Sequence, residues 1–432
     1  MRISIEWLKE FVDVKEGTSA LADMLSMLGF EAEVVHDFSL LSKIVIGKVV
    51  TAQKHPNADR LKLCTVNDGT DTLSVVCGAP NVDAGQTIAF ARVGAVLPGD
   101  FVISKAKIRG QESRGMICSE RELGISDEHD GIMVLPNTLK VGRPIHPHLD
   151  KMYSSLEIDL TPNRPDGFSH YGIAREIALK TRRKLNNISV KTSNAKSKDI
   201  HKIAKVTIDD AKDCPRYMGA VLNNVMVGPS PDWMVDRLKA AGQRSINNLV
   251  DISNYVLLEM GHPTHIFDYD KISSNTITIR RVKNDKTITT LDEEKRKLSK
   301  QQLLITDGKK PIALAGIMGG LESAVQDKTT TVFVESAYFD PVAIRKGSKE
   351  LGLLTEASRR FERGADVHAA ETALWRVINL LQEFAGGELV PGIIDEYPGK
   401  FKSINISMRR SELDLFAGCA ISDKEVKIIL DG

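Results

Sequence analysis

The sequence predicts a multidomain α+β protein in which a small β-barrel is inserted into an N-terminal α+β domain and a larger α+β module follows. Three observations predict this. At 432 residues the chain is too long for one compact core, so two to four domains are expected. Residues 41–151 break into short β segments separated by turn residues, within a chain whose texture is otherwise mixed helix and strand. A polar, Lys/Ser-rich stretch, "NNISVKTSNAKSKDIHK", divides the first half from the second as a linker would.

The elements follow in order. Residues 3–30 read as a short strand or turn and two helices, with Trp7, Leu8, Phe11, Val12, Leu21, Leu25 and Leu28 at helical spacing and Gly29 as the stop. The barrel strands are "IVIGKVV", "KLCTVN", "LSVVCG", "TIAFARV" and "FVISKAKI", with Asp68-Gly69 and Pro98-Gly99 as turns. From 156 to 181 a strand, a Pro-rich loop and a helix resume the first region, so 1–40 and 152–190 form one domain around the insertion. The larger module covers 205–398. In it Ser230-Pro231 reads as an N-cap and first helical residue. "SINNLVDISNYVLLEMG" is a second helix closed by Gly261, several strands follow, and Asp366 caps a last long helix ending at Gly386-Gly387. Residues 401–432 read as a strand, a helix and the start of another, the opening of a further unit that the chain does not complete.

Bulk chemistry excludes several classes. With 58 basic and 57 acidic residues the net charge is +1, so any nucleic-acid contact must come from a local patch. Five scattered cysteines with no Cys-x-x-Cys pair argue against a disulfide scaffold or a zinc ribbon, and for a reduced, cytoplasmic setting. The longest apolar runs are strand-sized, far below the ~20 residues a bilayer span needs, so no membrane is expected. No Walker loop, dinucleotide fingerprint, His-Glu-x-x-His or nucleophile elbow is present.

Three stretches hold candidate chemistry. In the barrel, residues 41–120 carry ten Lys/Arg against seven Asp/Glu, and Lys105, Lys107, Arg109 and Arg114 cluster in "SKAKIRGQESRG" as a groove for a phosphate backbone requires. On charge alone a solvated strand with alternating lysines accounts for this equally well. The barrel shows no exposed-looking aromatic for base stacking, against sequence reading. In "RSINNLVDISNYVLLEMGHPTHIFD", Asn247, Asp251 and Asn254 share a helical face and His262 and His265 follow the helix end. On spacing alone, capped turns and a satisfied histidine are the better reading. Third, Gly316, Gly319 and Gly320 of "ALAGIMGG" permit close approach of a ligand to backbone. Glu335 closes the buried-looking strand "TVFVE", where a carboxylate needs a partner; the plainer alternative is a salt bridge to Arg359, Arg360 or Arg363. In "GLLTEASRRFERGADVH", Thr355 stands at a helix start with a hydroxyl and open backbone N–H groups.

At these residues the chain resembles the β subunits of bacterial phenylalanyl-tRNA synthetases over their N-terminal half, nearly end to end. The resemblance is carried, in order, by "HPNADRLKLCTV", "VCGAPNV", "KIRGQESRGMICSERELG", "LTPNRPDGFSHYGIAREIA", "VDISNYVLLEMGHPTHIFD", "GIMGG", "VESAYFDPVAIR" and "LLTEASRRFERGAD". The barrel motif alone is less specific, since other tRNA-binding proteins carry the same OB-type module. The resemblance implies an α2β2 ligase that joins phenylalanine to tRNA(Phe) with ATP and magnesium, the synthetic site lying in the α subunit. For this chain it implies a tRNA-binding OB module at 41–151 and an editing module at 205–398, with no cofactor or metal held by these parts.

In that family the editing module hydrolyses tyrosine wrongly attached to tRNA(Phe). A pocket for phenylalanine cannot strongly reject an analogue that merely adds a hydroxyl, whereas a second site built to hydrogen-bond that hydroxyl can select it. The match carries over Glu335 as the acceptor for the tyrosine hydroxyl, and His265 and Thr355 as further working residues. Gly319 and Ala357 line the pocket, and Asn254 is a weaker carry-over. Family chains often have Gln at the place of His262. Thr355 and Ala357 would form one wall, the arginines behind them neutralising Glu356 and Glu362 and fastening the turn with help from Asp366. A water held by His265, Thr355 and the terminal ribose hydroxyl of the tRNA is the expected nucleophile. Two rival readings are a structural, tRNA-docking subunit with an inactive pocket and a free-standing tRNA-binding or trans-editing protein; a nonspecific single-strand binder would need stacking aromatics.

Overall fold

The computed structural model describes residues 1–35, 38–127, 129–193 and 195–431; Asn194 of the expected linker and Gly432 of the expected further unit lie outside them. The N-terminal domain is built on a three-stranded antiparallel sheet in which Ser155–Asp159 lies between Arg2–Ser4 and Glu31–Val34. Val35 N–H donates to Ser155 O at 3.1 Å, so the chain leaves and re-enters the domain at neighbouring points. Everything between those points is an insertion.

That insertion is a nearly closed, OB-type barrel. Ile44–Lys54, its longest strand, pairs antiparallel with both Lys62–Asn67 and Thr87–Ala91, and a register shift at Val49/Thr51 bends it. Alternation along this strand separates two cores. Val45 and Val49 point inward with Val66, Val75 and Ile88, while Ile44 and Ile46 face outward onto Leu149 and Tyr153.

In the larger module the strand Arg216–Asn223 lies between Val332–Tyr338 on one side and Glu388–Leu389 and Ile394–Glu396 on the other, with Thr264–Asp268 outside Val332–Tyr338. A second five-stranded sheet, from Lys205–Ile208 to Met318–Gly319, covers one face of the first. Helices Asn248–Met260 and Ala369–Phe384 cover the other, and their core is continuous with the N-terminal domain through Trp7, Leu8, Ile173 and Ile177. At the junction the Trp7 ring stacks on His170 at 3.9 Å and on Tyr255 at 4.5 Å. His170 accepts from Ser4 N–H at 3.0 Å, and its other ring nitrogen lies 2.9 Å from Leu258 O. Because Nε2 accepts, Nδ1 is the protonated nitrogen and donates.

Several expectations shift. Pro231, not Ser230, precedes the helix Asp232–Ala240, because the Ser230 hydroxyl is given to buried Asp251 at 2.5 Å. His368, not Asp366, occupies the cap position of Ala369–Phe384, with Asp366 accepting from His368 N–H. The expected linker is not free: Asn186 N–H donates to Phe11 O, and Lys191 exchanges two hydrogen bonds with the Asn379 amide. The expected strand around 404–408 does not form among the described residues, since nothing pairs with it; helices Arg410–Ala417 and Asp423–Asp431 do.

Candidate active site

Two adjacent strands place the central pair. Thr264–Asp268 runs antiparallel to Val332–Tyr338, with His265 directly opposite Glu335. Strand alternation sends both side chains to the face that meets the second sheet, away from the helices. Both border a cavity of about 640 Å³, lined also by Asn254, Gly319, Thr355 and Ala357. All six pocket residues expected from the sequence therefore meet in one place, drawn from five separate segments of chain. Leu249, Leu257, Leu291, Leu314, Ile317 and Phe361 are among the apolar residues that make up most of the remaining wall, so the cavity is largely apolar.

Glu335 is 6% exposed, and its partner is none of the expected arginines: the Tyr217 hydroxyl donates to its Oε2 at 3.1 Å. Burial pushes the carboxyl up to about 8, with the Tyr217 bond pulling the other way. At neutral pH the group is mostly uncharged. His265 is held down to about 4 by burial, and its Nε2 is buried without a partner. A polar ring nitrogen left open in an apolar cavity invites a ligand or water. Gly319 is required beside it, because a Cβ there would lie 2.5 Å from His265 Cε1.

Thr355 caps the short helix Glu356–Phe361 in a reciprocal box: Ser358 N–H donates to Thr355 Oγ1 at 3.0 Å, and Thr355 N–H donates to Ser358 Oγ at 2.9 Å. The Thr355 hydroxyl hydrogen goes to Ile317 O at 2.8 Å. It is thus committed to structure and can offer a water only its remaining lone pair. Ala357 adds a small wall on the next turn.

The arginines behind the turn do more than neutralise acids. Arg360, 1% exposed, binds Glu356 at 2.8 Å and donates to Phe168 O at 3.1 Å, while Arg363 donates to Leu160 O at 2.8 Å and lies over the Phe168 ring. They tie the pocket wall to the N-terminal domain. Of the polar helix face, Asn247 and Asn254 border the cavity. Asp251 is buried, accepting from Ser230, Ser245 and Ile246 N–H. His262 is 1% exposed, packs edge-on toward Phe361 and does not line the cavity.

On the barrel, Lys105, Lys107, Arg109 and Arg114 lie on or beside one exposed hairpin, Ala106–Ile108 with Gln111–Ser113. Arg109 and Gly110 form its two-residue turn with φ of +47° and +90°. Glu112 draws in two of the four cations, Lys105 at 2.6 Å and Arg114 at 2.5 Å. The expectation of no exposed aromatic is overturned: Phe101 is 59% exposed, carried outward on the hairpin that turns at Pro98-Gly99.

Sequence reasoning missed Tyr217. The signal was a tyrosine two residues before Gly219 in the apolar strand "RYMGAVLN", but nothing local reveals which strand pairs with it.

Two family descriptions match the chain: "Putative tRNA binding domain" over residues 44–144 and "B3/4 domain" over residues 213–386. The protein named phenylalanine–tRNA ligase beta subunit in Geobacter sulfurreducens is 46% identical, the match covering 99% of this chain and 54% of that protein. The proteins of that name in Geobacter metallireducens (46% identical) and Geobacillus kaustophilus (44% identical) each match 100% of this chain and 54% of their own length. The chain therefore spans about half the length of the curated relatives it matches.

Proposed function

As the chain belongs to the family of phenylalanine–tRNA ligase beta subunits, we propose that it binds tRNA(Phe) and that its 640 Å³ cavity hydrolyses tyrosine wrongly esterified to that tRNA. The observation that carries this reading is the convergence of His265, Glu335 and Thr355 on one largely apolar cavity that holds a buried, largely uncharged carboxyl. A phenol ring entering along the apolar wall brings its hydroxyl to Glu335. Phenylalanine in the same place leaves that carboxyl without a ligand partner, its bond from Tyr217 aside, which disfavours it.

Thr355 holds the wall through Ile317 and Ser358, and Ala357 leaves room for the ring. The unpartnered His265 Nε2 orients a water at the ester carbonyl, and the terminal ribose hydroxyl of the tRNA takes part in moving its proton. The hairpin bearing Lys105, Lys107, Arg109 and Arg114 supplies contacts to the RNA backbone, Lys107 and Arg109 leading because Glu112 engages the other two. ATP and magnesium belong to the synthetic reaction, which we assign to an α subunit in an α2β2 assembly. The setting is cytoplasmic; no helix among the described residues is long and apolar enough to cross a membrane.

The test is hydrolysis of tyrosyl- and phenylalanyl-tRNA(Phe), side by side, by this chain and by its full-length β subunit assembled with α. Selective loss of tyrosine is expected, with Glu335→Ala reducing the preference by roughly tenfold or more. If neither ester is cleaved by the assembled enzyme, the pocket is inactive and the structural, tRNA-docking reading replaces this one.

A further inference from the structure

We infer that Tyr217 is a positioning residue for substrate choice, acting through Glu335 by dictating which carboxyl oxygen meets the ligand. This rests on the hydrolytic reading above. Tyr217 does not line the cavity, so it touches no substrate.

The geometry is set by three strands. Glu335 stands between Gly219 on one neighbouring strand and His265 on the other. Gly219 has no side chain beside it, and a Cβ there would strike the Phe333 ring at 2.2 Å. The space alongside Glu335 is therefore filled by Phe333 and by Tyr217, two residues along the strand on the same face. Tyr217 is completely buried among apolar groups such as Val221, Phe267 and Ala337. A phenylalanine would satisfy that core; a buried phenol hydroxyl demands a partner. Its partner is Glu335 Oε2. The hydroxyl has one hydrogen, and giving it to Oε2 pins the carboxyl plane and leaves Oε1 for the cavity.

The same bond acts on charge. Titratable groups near Glu335 are Tyr217, the Cys214 thiol just before that strand, His265 opposite, and Asp292 and Glu356 in the cavity wall. Burial keeps both Cys214 and His265 neutral at pH 7. Burial of Glu335 raises its carboxyl, and the Tyr217 bond is the resolved influence that opposes this. Tyr217 thus keeps Glu335 within reach of ionisation, where it accepts a phenol hydroxyl most strongly.

Tyr217→Phe removes one oxygen and keeps the ring, and its melting temperature reports whether the fold is intact. In the assembled enzyme we expect the ratio of tyrosyl- to phenylalanyl-tRNA hydrolysis to fall about tenfold, the phenylalanyl rate staying within about twofold. The titration of Glu335, followed by NMR of carboxyl-labelled glutamate, should move above its wild-type midpoint, and the rise of tyrosine preference with pH should move with it. An active wild type with a variant of unchanged ratio overturns the role of Tyr217 alone. A wild type inactive on both esters overturns the hydrolysis itself. In that case an unmoved Glu335 titration in Tyr217→Phe also overturns the control of the carboxyl.

Discussion

Glu335 and His265 are opposite each other and both are neutral near pH 7 because burial penalises charge, yet their effects on stability run in opposite directions. Burial lowers His265 and His262 to about 4 and His170 to about 3 from an ordinary 6.5. These groups bind fewer protons folded than unfolded, so stability falls as pH drops below 6.5. Glu335, raised from 4.5 to about 8, binds more protons folded, so its contribution is present below 4.5 and is lost as pH rises toward 8. Glu335→Gln keeps the shape and an acceptor for Tyr217 but does not titrate. Its stability relative to the parent should therefore climb between about pH 5 and 8, as read by urea denaturation at several pH values. A flat difference across that range would show that Glu335 is not raised.

At the scale of elements, the helix Glu356–Phe361 is six residues long and has little stability of its own. It is held by the Thr355–Ser358 box, by the bond to Ile317 O, and by Arg360 and Arg363 reaching the loop at Leu160 and Phe168. Thr355→Val keeps the volume and removes both hydroxyl bonds, which should destabilise the chain by about 1–2 kcal/mol. Thr355→Ser should recover most of that. The hydrolysis assay should track the same order, because the wall opposite His265 moves with the helix. Thr355→Val with full stability and full activity would remove Thr355 from the site. The capping function was legible in the sequence, since a Thr three residues before a Ser ahead of charged residues is a helix start. The tether to the N-terminal domain was not, because Leu160 and Phe168 lie about 200 residues away along the chain.

At the scale of the molecule, the N-terminal domain and the helices behind the pocket share one core through Trp7, Tyr255 and Ile177. The barrel instead keeps its own interior and joins the rest through Leu149, Tyr153 and Ala240. Replacing residues 36–153 by a short Gly/Ser linker between Val35 and Ser154 should give a folded protein, since those points are already adjacent. We expect it to hydrolyse the tyrosyl ester with kcat within about twofold and a KM raised several-fold, because backbone contacts are lost while the pocket is kept. Deleting residues 1–30 should instead abolish the cooperative melt of the larger module by removing Trp7 and uncovering Tyr255.

The sequence by itself determined the barrel as an insertion and the cap at Thr355, and the family resemblance carried over six residues that all border the cavity. The first two rest on periodicity and turn chemistry, the last on motifs in their order, all of which are local along the chain. Only the tertiary structure decided that Glu335 answers to Tyr217 rather than to an arginine, that Glu112 engages two of the hairpin's four cations, that Phe101 is exposed and that the linker is strapped down. Each of these depends on which strand or loop lies alongside which. Strand pairing is a long-range choice made by the packing of whole faces, and no short stretch of sequence carries it.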